Sequence, residues 1–288
     1  MKKNACLMLL ASGLGVVCLA SGHSDRWTVR EQETIDKTLT LSGQPFRVVI
    51  DNLDGYVHVT GTSGSQVHVV AHKLIRAETQ ADLQQAKSEV KLDVTEQPGS
   101  VSVYYNAPWR CNGNCNGCCS EHEHRRFYEV TYDIDVEAPR EARMAASTVN
   151  GALQMEQMNG DFDVHSVNGG LKMSGIGGSG DAHTVNGAIT IGFTKNPAQP
   201  CTFKTVNGAI DADFRPGLSA DLLFKTFNGE VYSDFDVTPL PVAAGERERK
   251  NGMFVYRSNR QGSGRAGHGG PQISFETLNG AIRLHEQR

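Results

Sequence analysis

The chain has 288 residues, of which 28 are Lys or Arg and 32 are Asp or Glu, giving a formal net charge of −4 at pH 7. Such a chain offers no basic stripe with interleaved aromatic residues, and this argues against a nucleic-acid partner. Once a leader is removed, about 265 residues suffice for one elongated domain or two compact ones.

The N-terminus has the pattern of a secretory signal peptide. Two lysines follow Met1, and residues 5–20 are apolar or small with no charge. A membrane-spanning helix needs about 20 apolar residues, which is longer than this segment. We predict that residues 1–22 are a signal peptide. The mature protein is then exported, periplasmic or at the cell surface, and not an integral membrane protein.

Residues 23–140 are predicted to form a β-rich region with one short helix. Strands are indicated by β-branched content and alternation, at residues 46–50, 57–59, 67–70, 101–104 and 130–136. From about 79 to 90 the sequence is rich in Gln, Ala, Glu and Lys, and it carries Leu83, Ala86 and Val90 at helical spacing. We expect this helix to lie against the sheet. Pro139 ends the region.

A Cys-rich loop, residues 111–124, interrupts this half. It carries four thiols and two imidazoles: Cys111, Cys115, Cys118, Cys119, His122 and His124. This set could supply the four ligands of a tetrahedral zinc site. Thiols of exported proteins usually oxidise, however, so disulfides within the loop are the favoured interpretation. Cys201 is the fifth cysteine of the mature chain, and a bond from it to the loop is left open.

The C-terminal half, residues 141–288, contains six copies of a motif close to Thr-Val-Asn-Gly. Their Asn-Gly pairs are Asn150-Gly151, Asn168-Gly169, Asn186-Gly187, Asn207-Gly208, Asn228-Gly229 and Asn279-Gly280. The Asn numbers differ by 18, 18, 21, 21 and 51. The longest interval holds an insertion at residues 238–270, which is rich in glycine and charge and is predicted to be flexible. Weaker copies lie at residues 158–162 and 53–57.

Two local geometries fit the motif. Apolar residues alternate with polar ones through the fourth copy, so Val206 and Ile210 are predicted to face inward on one strand that runs straight through Asn207 and Gly208. A bulge or corner at the preceding Thr205 then brings Phe203 to the same face. Alternatively, Asn-Gly forms a type I′ hairpin turn.

The spacing favours an all-β fold in which each copy is one coil of a β-solenoid. Equivalent residues would stack about 4.8 Å apart, with the asparagines forming a hydrogen-bonded ladder and the glycines allowing close packing. The alternative is an antiparallel β-meander or sandwich with Asn-Gly hairpins.

Two other motifs could indicate a functional site, but neither is favoured. Residues 175–180 match the dinucleotide fingerprint G-x-G-x-x-G, but the sequence returns to a strand repeat instead of opening a helix, so we reject a nucleotide site. In the insertion, Arg257, Arg260, Arg265 and His268 could contact an anionic partner, although a solvated charged loop is the favoured interpretation.

The repeats resemble a bacterial family of exported β-strand-repeat proteins known as "putative adhesins" or as a domain of unknown function. The resemblance rests on residues 132–151, on the serial Thr-Val-Asn-Gly copies, and on the glycine-rich stretch that ends in residues 273–282. It covers roughly residues 40–285 and implies an envelope-associated β-solenoid with a role in adhesion. The family provides no catalytic residues to transfer, and the Cys-rich loop departs from its pattern.

We therefore predict a non-catalytic cell-envelope protein, without a cofactor, that acts as an adhesin-like scaffold for an unknown envelope or cell-surface macromolecule. The alternative is a metal-binding or redox-responsive envelope protein that uses the Cys-rich loop, with zinc as the metal. An enzyme acting on carbohydrates is the third and weakest class, because no catalytic set is evident.

Overall fold

The computed structural model describes residues 26–110, 127–240, 247–250, 253–256 and 261–287. The predicted signal peptide and the Cys-rich loop therefore lie outside the described residues. The described part is an all-β protein with one short helix, and most of its strands belong to two mixed sheets.

The region before the repeats contains seven strands and the helix. They are β1 (Val29–Thr40), β2 (Arg47–Asp51), β3 (Val57–Thr62), β4 (Gln66–Ala77), α1 (Gln80–Glu89), β5 (Lys91–Gln97), β6 (Ser100–Asn106) and β7 (Tyr128–Pro139). All five predicted strands are present, and β1 and β5 were missed. β1 is an edge strand paired antiparallel with β4, and most of its side chains are exposed, so it lacks the apolar alternation that reveals a strand.

Helix α1 confirms the predicted helix. Thr79 caps its N-terminus by accepting a hydrogen bond from the Asp82 backbone, while the Asp82 carboxylate accepts from the Thr79 backbone. Leu83 and Ala86 are buried against the sheet. The Lys73 ammonium donates to the Val90 carbonyl at 2.8 Å, which ties the helix end to β4, and burial lowers the Lys73 pKa.

The remaining part of the chain forms sixteen strands among the described residues. They are β8 (Arg143–Asn150), β9 (Leu153–Glu156), β10 (Phe162–Asn168), β11 (Leu171–Ile176), β12 (Gly180–His183), β13 (Ile189–Phe193), β14 (Cys201–Asn207), β15 (Ile210–Phe214), β16 (Ala220–Asn228), β17 (Val231–Ser233), β18 (Val237–Pro239), β19 (Arg247–Lys250), β20 (Met253–Tyr256), β21 (Gln261–Ala266), β22 (Gln272–Asn279) and β23 (Ile282–Glu286).

Consecutive repeat strands alternate between the two sheets. The first sheet has the order β1-β4-β7-β3-β9-β11-β13-β15-β23-β17, and the second has the order β18-β21-β16-β22-β14-β12-β10-β8-β2-β6-β5. Equivalent strands of neighbouring repeats pair in parallel, as β8 does with β10 and β9 with β11. The packing of two sheets on one core fits the sandwich of the alternative prediction, but the repeats pair in parallel and form no Asn-Gly hairpins.

The predicted strand through Asn207 and Gly208 is wrong. β14 ends at Asn207 in one sheet and β15 begins at Ile210 in the other, so the Asn-Gly pair is a corner between sheets. The predicted inward position of Val206 is also wrong, because Thr205 is buried in its place. Burial of this hydroxyl is tolerated because it donates a hydrogen bond to the Gly187 carbonyl at 2.9 Å.

One apolar core joins the inner faces of both sheets. Its widest part is a group of phenylalanines, in which Phe203 stacks on Phe275 with ring centroids 5.4 Å apart and Phe193 stacks on Phe214 at 5.1 Å. The sheets also continue from the N-terminal region into the repeats, because β3 pairs with β7 and β9, and β2 pairs with β6 and β8. The N-terminal strands therefore cover one end of the repeat core.

The sixth repeat does not follow the fifth in space. β22 pairs with both β14 and β16, so Asn279 lies between Asn207 and Asn228. Part of the insertion predicted to be flexible is also strand: β21 pairs antiparallel with β16 and with β18, and β19 pairs with β20. β21 and β18 cover the edge of the second sheet beyond the fifth repeat, whereas β19 and β20 form a separate two-stranded sheet.

The corner glycines provide a test of this fold. A Cβ atom on Gly208 would lie 2.0 Å from the Gly187 carbonyl oxygen, whereas a Cβ on Gly192 meets no atom closer than 4.0 Å. We expect Gly208→Ala to lower the free energy of unfolding by about 3 kcal/mol through overpacking. Gly192→Ala should change it by less than about 0.5 kcal/mol. Urea unfolding of both variants measures the difference, and equal effects would contradict the described corner.

Candidate functional site

The asparagines of the repeats form a continuous ladder along one edge of the molecule. Each side-chain Nδ2 donates to the Oδ1 atom of the neighbouring rung, at 2.8 to 2.9 Å: Asn168 to Asn150, Asn186 to Asn168, Asn207 to Asn186, Asn279 to Asn207, and Asn228 to Asn279. Asp54 begins the ladder by accepting from Asn150 at 2.7 Å. The weak copy at residues 53–57 therefore supplies the first rung. We call this edge the asparagine edge.

A second row of hydrogen bonds lies beneath the ladder. The Ser or Thr two residues before each asparagine donates its hydroxyl to the corner glycine carbonyl of the neighbouring rung: Thr148 to Gly55, Ser166 to Gly151, Thr184 to Gly169, Thr205 to Gly187, Thr277 to Gly208, and Thr226 to Gly280. Five of these side chains are buried. Because they occupy the inward position, the residue between each of them and the asparagine faces outward.

The outward residues form an exposed apolar row beside the ladder. Val167 and Val185 are each 39% exposed, Leu278 is 46% exposed and Phe227 is 59% exposed. In the stacking order of the strands the partly exposed Val206 lies between Val185 and Leu278, so these five positions follow one another along a single line. Scattered apolar residues are normal on a protein surface, but a contiguous row is typical of an interaction site.

The asparagine edge carries almost no charge. In the rungs from Asn150 to Asn279 it consists of Val or Leu, Asn, Gly, and then Ala or Gly. Ionisable side chains occur only at its ends, as Asp54 in the first rung and Glu230 after the last asparagine. The Tyr232 hydroxyl donates to Glu230, which raises the pKa of this tyrosine. The motif residues of the edge therefore present amide and alkyl groups. His165, His183 and Lys204 lie two residues before the outward valines of their rungs, on the same side of the second sheet.

The far end of the edge has a further exposed apolar patch. β17 pairs with β23 and with no other described strand, and its residues Val231 and Tyr232 are 40% and 50% exposed. The Arg283 guanidinium lies 5.9 Å from the centre of the Tyr232 ring. Phe227 lies in the same last rung, so the apolar row ends in aromatic side chains.

The predicted site residues fall into two groups. The repeat asparagines and glycines come together along the asparagine edge. The six residues of the proposed metal or disulfide loop, from Cys111 to His124, lie outside the described residues. Among the residues that the structure describes, no group of three or more His, Cys, Asp or Glu side chains is placed to hold a metal ion. In the same residues, no helix is long and apolar enough to cross a membrane.

Cys201 is a buried thiol at the start of β14, and burial raises its pKa. It forms no disulfide with any residue that the structure describes, and the loop cysteines considered as its partners lie outside those residues. Its sulfur accepts a hydrogen bond from the Gly180 backbone at 3.5 Å. This thiol is part of the apolar core.

The outward apolar row was missed because the apolar Val206 was placed in the core and the hydroxyl residue Thr205 was treated as a bulge or corner. A usable signal was present: Cys201, Phe203 and Thr205 alternate without a break, which places Val206 on the outer side. Arg265, proposed as a contact for anions, is instead engaged with the Asp221 carboxylate at 2.7 and 3.0 Å. Arg257 and Arg260 lie outside the described residues.

The ladder predicts a position-dependent loss of stability. Asn207 takes part in two ladder hydrogen bonds, whereas Asn228, at the end, takes part in one. We expect Asn207→Ala to lower the free energy of unfolding by about 1 kcal/mol and Asn228→Ala by about 0.5 kcal/mol. Thermal and urea unfolding of both variants measure this, and an equal or inverted order would argue against the ladder.

No protein-family model and no curated protein matches this sequence. Solved structures do cover most of it. One is described as "a putative cell adhesion protein" of Clostridium sporogenes, with 8% identity, a TM-score of 0.45 and coverage of 88% of this chain and 100% of the other. Another, "a putative adhesin" of Bacteroides fragilis, has 7% identity, a TM-score of 0.39 and coverage of 88% and 97%.

A third solved structure, described as a "putative lipid binding protein" of Parabacteroides distasonis, has 8% identity and a TM-score of 0.28, with coverage of 87% of this chain and 96% of the other. At TM-scores below 0.5 these similarities carry no conclusion about what this chain binds.

Proposed function

We propose that this chain is a non-catalytic, exported, adhesin-like scaffold whose asparagine edge binds a macromolecule of the cell envelope or cell surface. The observation that carries the proposal is the exposed apolar row beside the asparagine ladder. A regular array of amides next to alkyl and aromatic side chains can contact an extended partner at many equivalent points. Multiple weak contacts of this kind raise the overall affinity without a deep pocket.

In this proposal the repeats form a two-sheet β-solenoid, which serves as the scaffold. Each repeat contributes one strand to each sheet, and equivalent residues of neighbouring repeats, such as Asn150 and Asn168, are paired in register. In such an arrangement each coil is stabilised mainly by its neighbours. The array of side chains on the asparagine edge is then held at a constant spacing.

A binding role is favoured over catalysis by the chemistry of the edge. General acid–base catalysis needs a group whose pKa lies near the working pH, such as His, Glu or Asp. The central rungs offer amides and aliphatic side chains instead. The outward carboxylate of Asp211, on the first sheet, accepts a hydrogen bond from Arg283 at 3.1 Å and has a structural role there.

The interaction surface can be tested with a matched pair of charge insertions. Val185→Lys places a charge in the exposed apolar row, and Thr190→Lys places the same charge at an exposed position on the outer face of the first sheet. We expect Val185→Lys to weaken binding to cell-envelope fractions by at least about tenfold, because the apolar contact is lost. Thr190→Lys should bind like the unmodified protein. Pull-down of envelope fractions with purified mature protein measures both.

Two results would overturn the proposal. Mature protein that binds no envelope fraction, surface polymer or envelope protein would remove the adhesion role. Equal loss of binding in Val185→Lys and Thr190→Lys would show that charge alone, and not the asparagine edge, determines the interaction.

The second candidate function is metal binding or redox response through the Cys-rich loop. It is favoured by the concentration of four cysteines and two histidines within residues 111–124. For this function we expect the native mass of anaerobically purified protein to exceed its denatured mass by one zinc ion, with thiols that react with an alkylating reagent after denaturation. A metal-free mass with four alkylation-resistant cysteines in the loop would instead identify a pair of disulfides.

A further inference from the structure

An aromatic cavity lies at the head of the asparagine edge. It has a volume of about 340 Å³ and is lined by Arg26, Trp27, Asp54, Tyr105, Trp109, Tyr128, Glu129 and Val130. Asp54 is also the first rung of the ladder. The cavity and the ladder therefore share a residue and form one continuous surface. The sequence reasoning assigned no role to either tryptophan.

Contacts with the surrounding structure hold the aromatic walls in place. The rings of Trp109 and Tyr128 lie 6.1 Å apart at 45°, and the Tyr105 hydroxyl donates to the Val130 carbonyl at 3.0 Å. The Tyr128 hydroxyl donates to Glu89 of the helix. The Arg26 guanidinium lies over the Trp27 ring, 4.7 Å from its centre. These rings come from three separate segments of the chain. Tyr105 and Tyr128 are buried, so the accessible ring surface of the cavity belongs to the partly exposed Trp27 and Trp109.

The charges around the cavity disfavour an acidic ligand. Its ionisable wall residues are two carboxylates, Asp54 and Glu129, and one guanidinium, Arg26. Arg26 is paired with Glu78 at 2.8 Å, and Glu129 is paired with Arg76 at 3.4 Å. Both carboxylates can still accept hydrogen bonds, because a carboxylate has about four lone-pair sites. The cavity therefore combines apolar ring surface with acceptors for hydroxyl groups.

We propose that this cavity binds a sugar residue of a neutral glycan and that the asparagine edge carries the rest of the glycan chain. A sugar ring has an apolar face of C–H groups and a rim of hydroxyls, which match the aromatic walls and the carboxylate acceptors. The volume is at the lower end of the range for small-ligand sites, about 300–1,000 Å³. The inference rests on the proposed function and names the class of its partner.

The ladder provides a suitable track for the rest of the glycan. An amide side chain has two N–H donors and two acceptor lone pairs on oxygen. An interior rung such as Asn186 uses one donor toward Asn168 and one acceptor toward Asn207. One donor and one lone pair per rung therefore remain for hydroxyls, repeated about every 4.8 Å along the stack. The motif residues of the five rungs, from Val or Leu to the following Ala or Gly, carry no charge, which favours a neutral polymer over an acidic one.

Tryptophan fluorescence can test the cavity directly. The chain contains two tryptophans, Trp27 and Trp109, and both line this cavity. We expect a saturable change in the tryptophan emission of the full mature chain when it is titrated with at least one of four neutral disaccharides: N,N′-diacetylchitobiose, cellobiose, lactose or maltose. Glucuronic acid at the same concentration should leave the emission unchanged.

Variants then locate the binding site by calorimetry with the disaccharide that binds. Trp109→Ala should raise the Kd at least about tenfold, while Trp109→Phe, which retains an aromatic ring, should stay within about threefold of the unmodified protein. Thr190→Ala, at an exposed position on the outer face of the first sheet and away from both the cavity and the asparagine edge, should leave the Kd unchanged. Asp54→Asn, which keeps the shape of the side chain, should also weaken binding if Asp54 accepts a sugar hydroxyl.

The inference is wrong if no neutral disaccharide changes the emission, or if Trp109→Ala and Thr190→Ala have equal effects on the Kd. It is also wrong if glucuronic acid binds as well as the neutral sugars do, or if the titrations reveal self-association of the chain instead of sugar binding. If only the glycan inference is wrong, the protein still binds envelope fractions and Val185→Lys still weakens that binding. If the proposed function is wrong, the protein does not bind envelope fractions.

Discussion

The close contact between corner glycines is the constraint on which the rest of the structure depends. At successive rungs, a Cβ atom on the glycine would lie only 1.8 to 2.3 Å from the carbonyl oxygen of the glycine below, so no other residue fits. This contact brings the hydroxyl of Thr205 within hydrogen-bonding distance of the Gly187 carbonyl and the side chain of Asn207 within reach of Asn186. The glycine, the hydroxyl and the amide together turn the chain from one sheet to the other at every repeat.

The corner geometry also explains how the repeat produces an exposed apolar row. Since the hydroxyl residue occupies the inward position, the next residue must face solvent, and a Val, Leu or Phe there becomes part of an exposed apolar row. The N-terminal strands close the core at one end, where Asp54 joins the ladder to the aromatic cavity. The two ends of the asparagine edge therefore differ: one has a concave aromatic site and the other has the exposed side chains of Phe227 and Tyr232.

Sequence reasoning identified part of the candidate site and missed the rest for identifiable reasons. The asparagines and glycines are repeated, so a single sequence suffices to find them. Val206 was placed in the core because apolar character usually indicates burial, whereas here the neighbouring Thr205 is buried and hydrogen-bonded. Trp27 and Trp109 are 82 positions apart in the chain. Nothing in their local sequence indicates that they line one cavity, because that depends on how β1, β6 and β7 are brought together.

The sequence by itself determined the all-β composition, the helix, five strands of the N-terminal region and the repeat, because these features depend on local propensity and short spacings. Only the tertiary structure decided the turn between sheets at each Asn-Gly pair, the strand β1 and the position of the sixth repeat between the fourth and the fifth. These features depend on pairing between distant segments. The alternation of Cys201, Phe203 and Thr205 is visible in the sequence, but burial of the Thr205 hydroxyl requires the Gly187 carbonyl, which only the assembled stack brings within 2.9 Å.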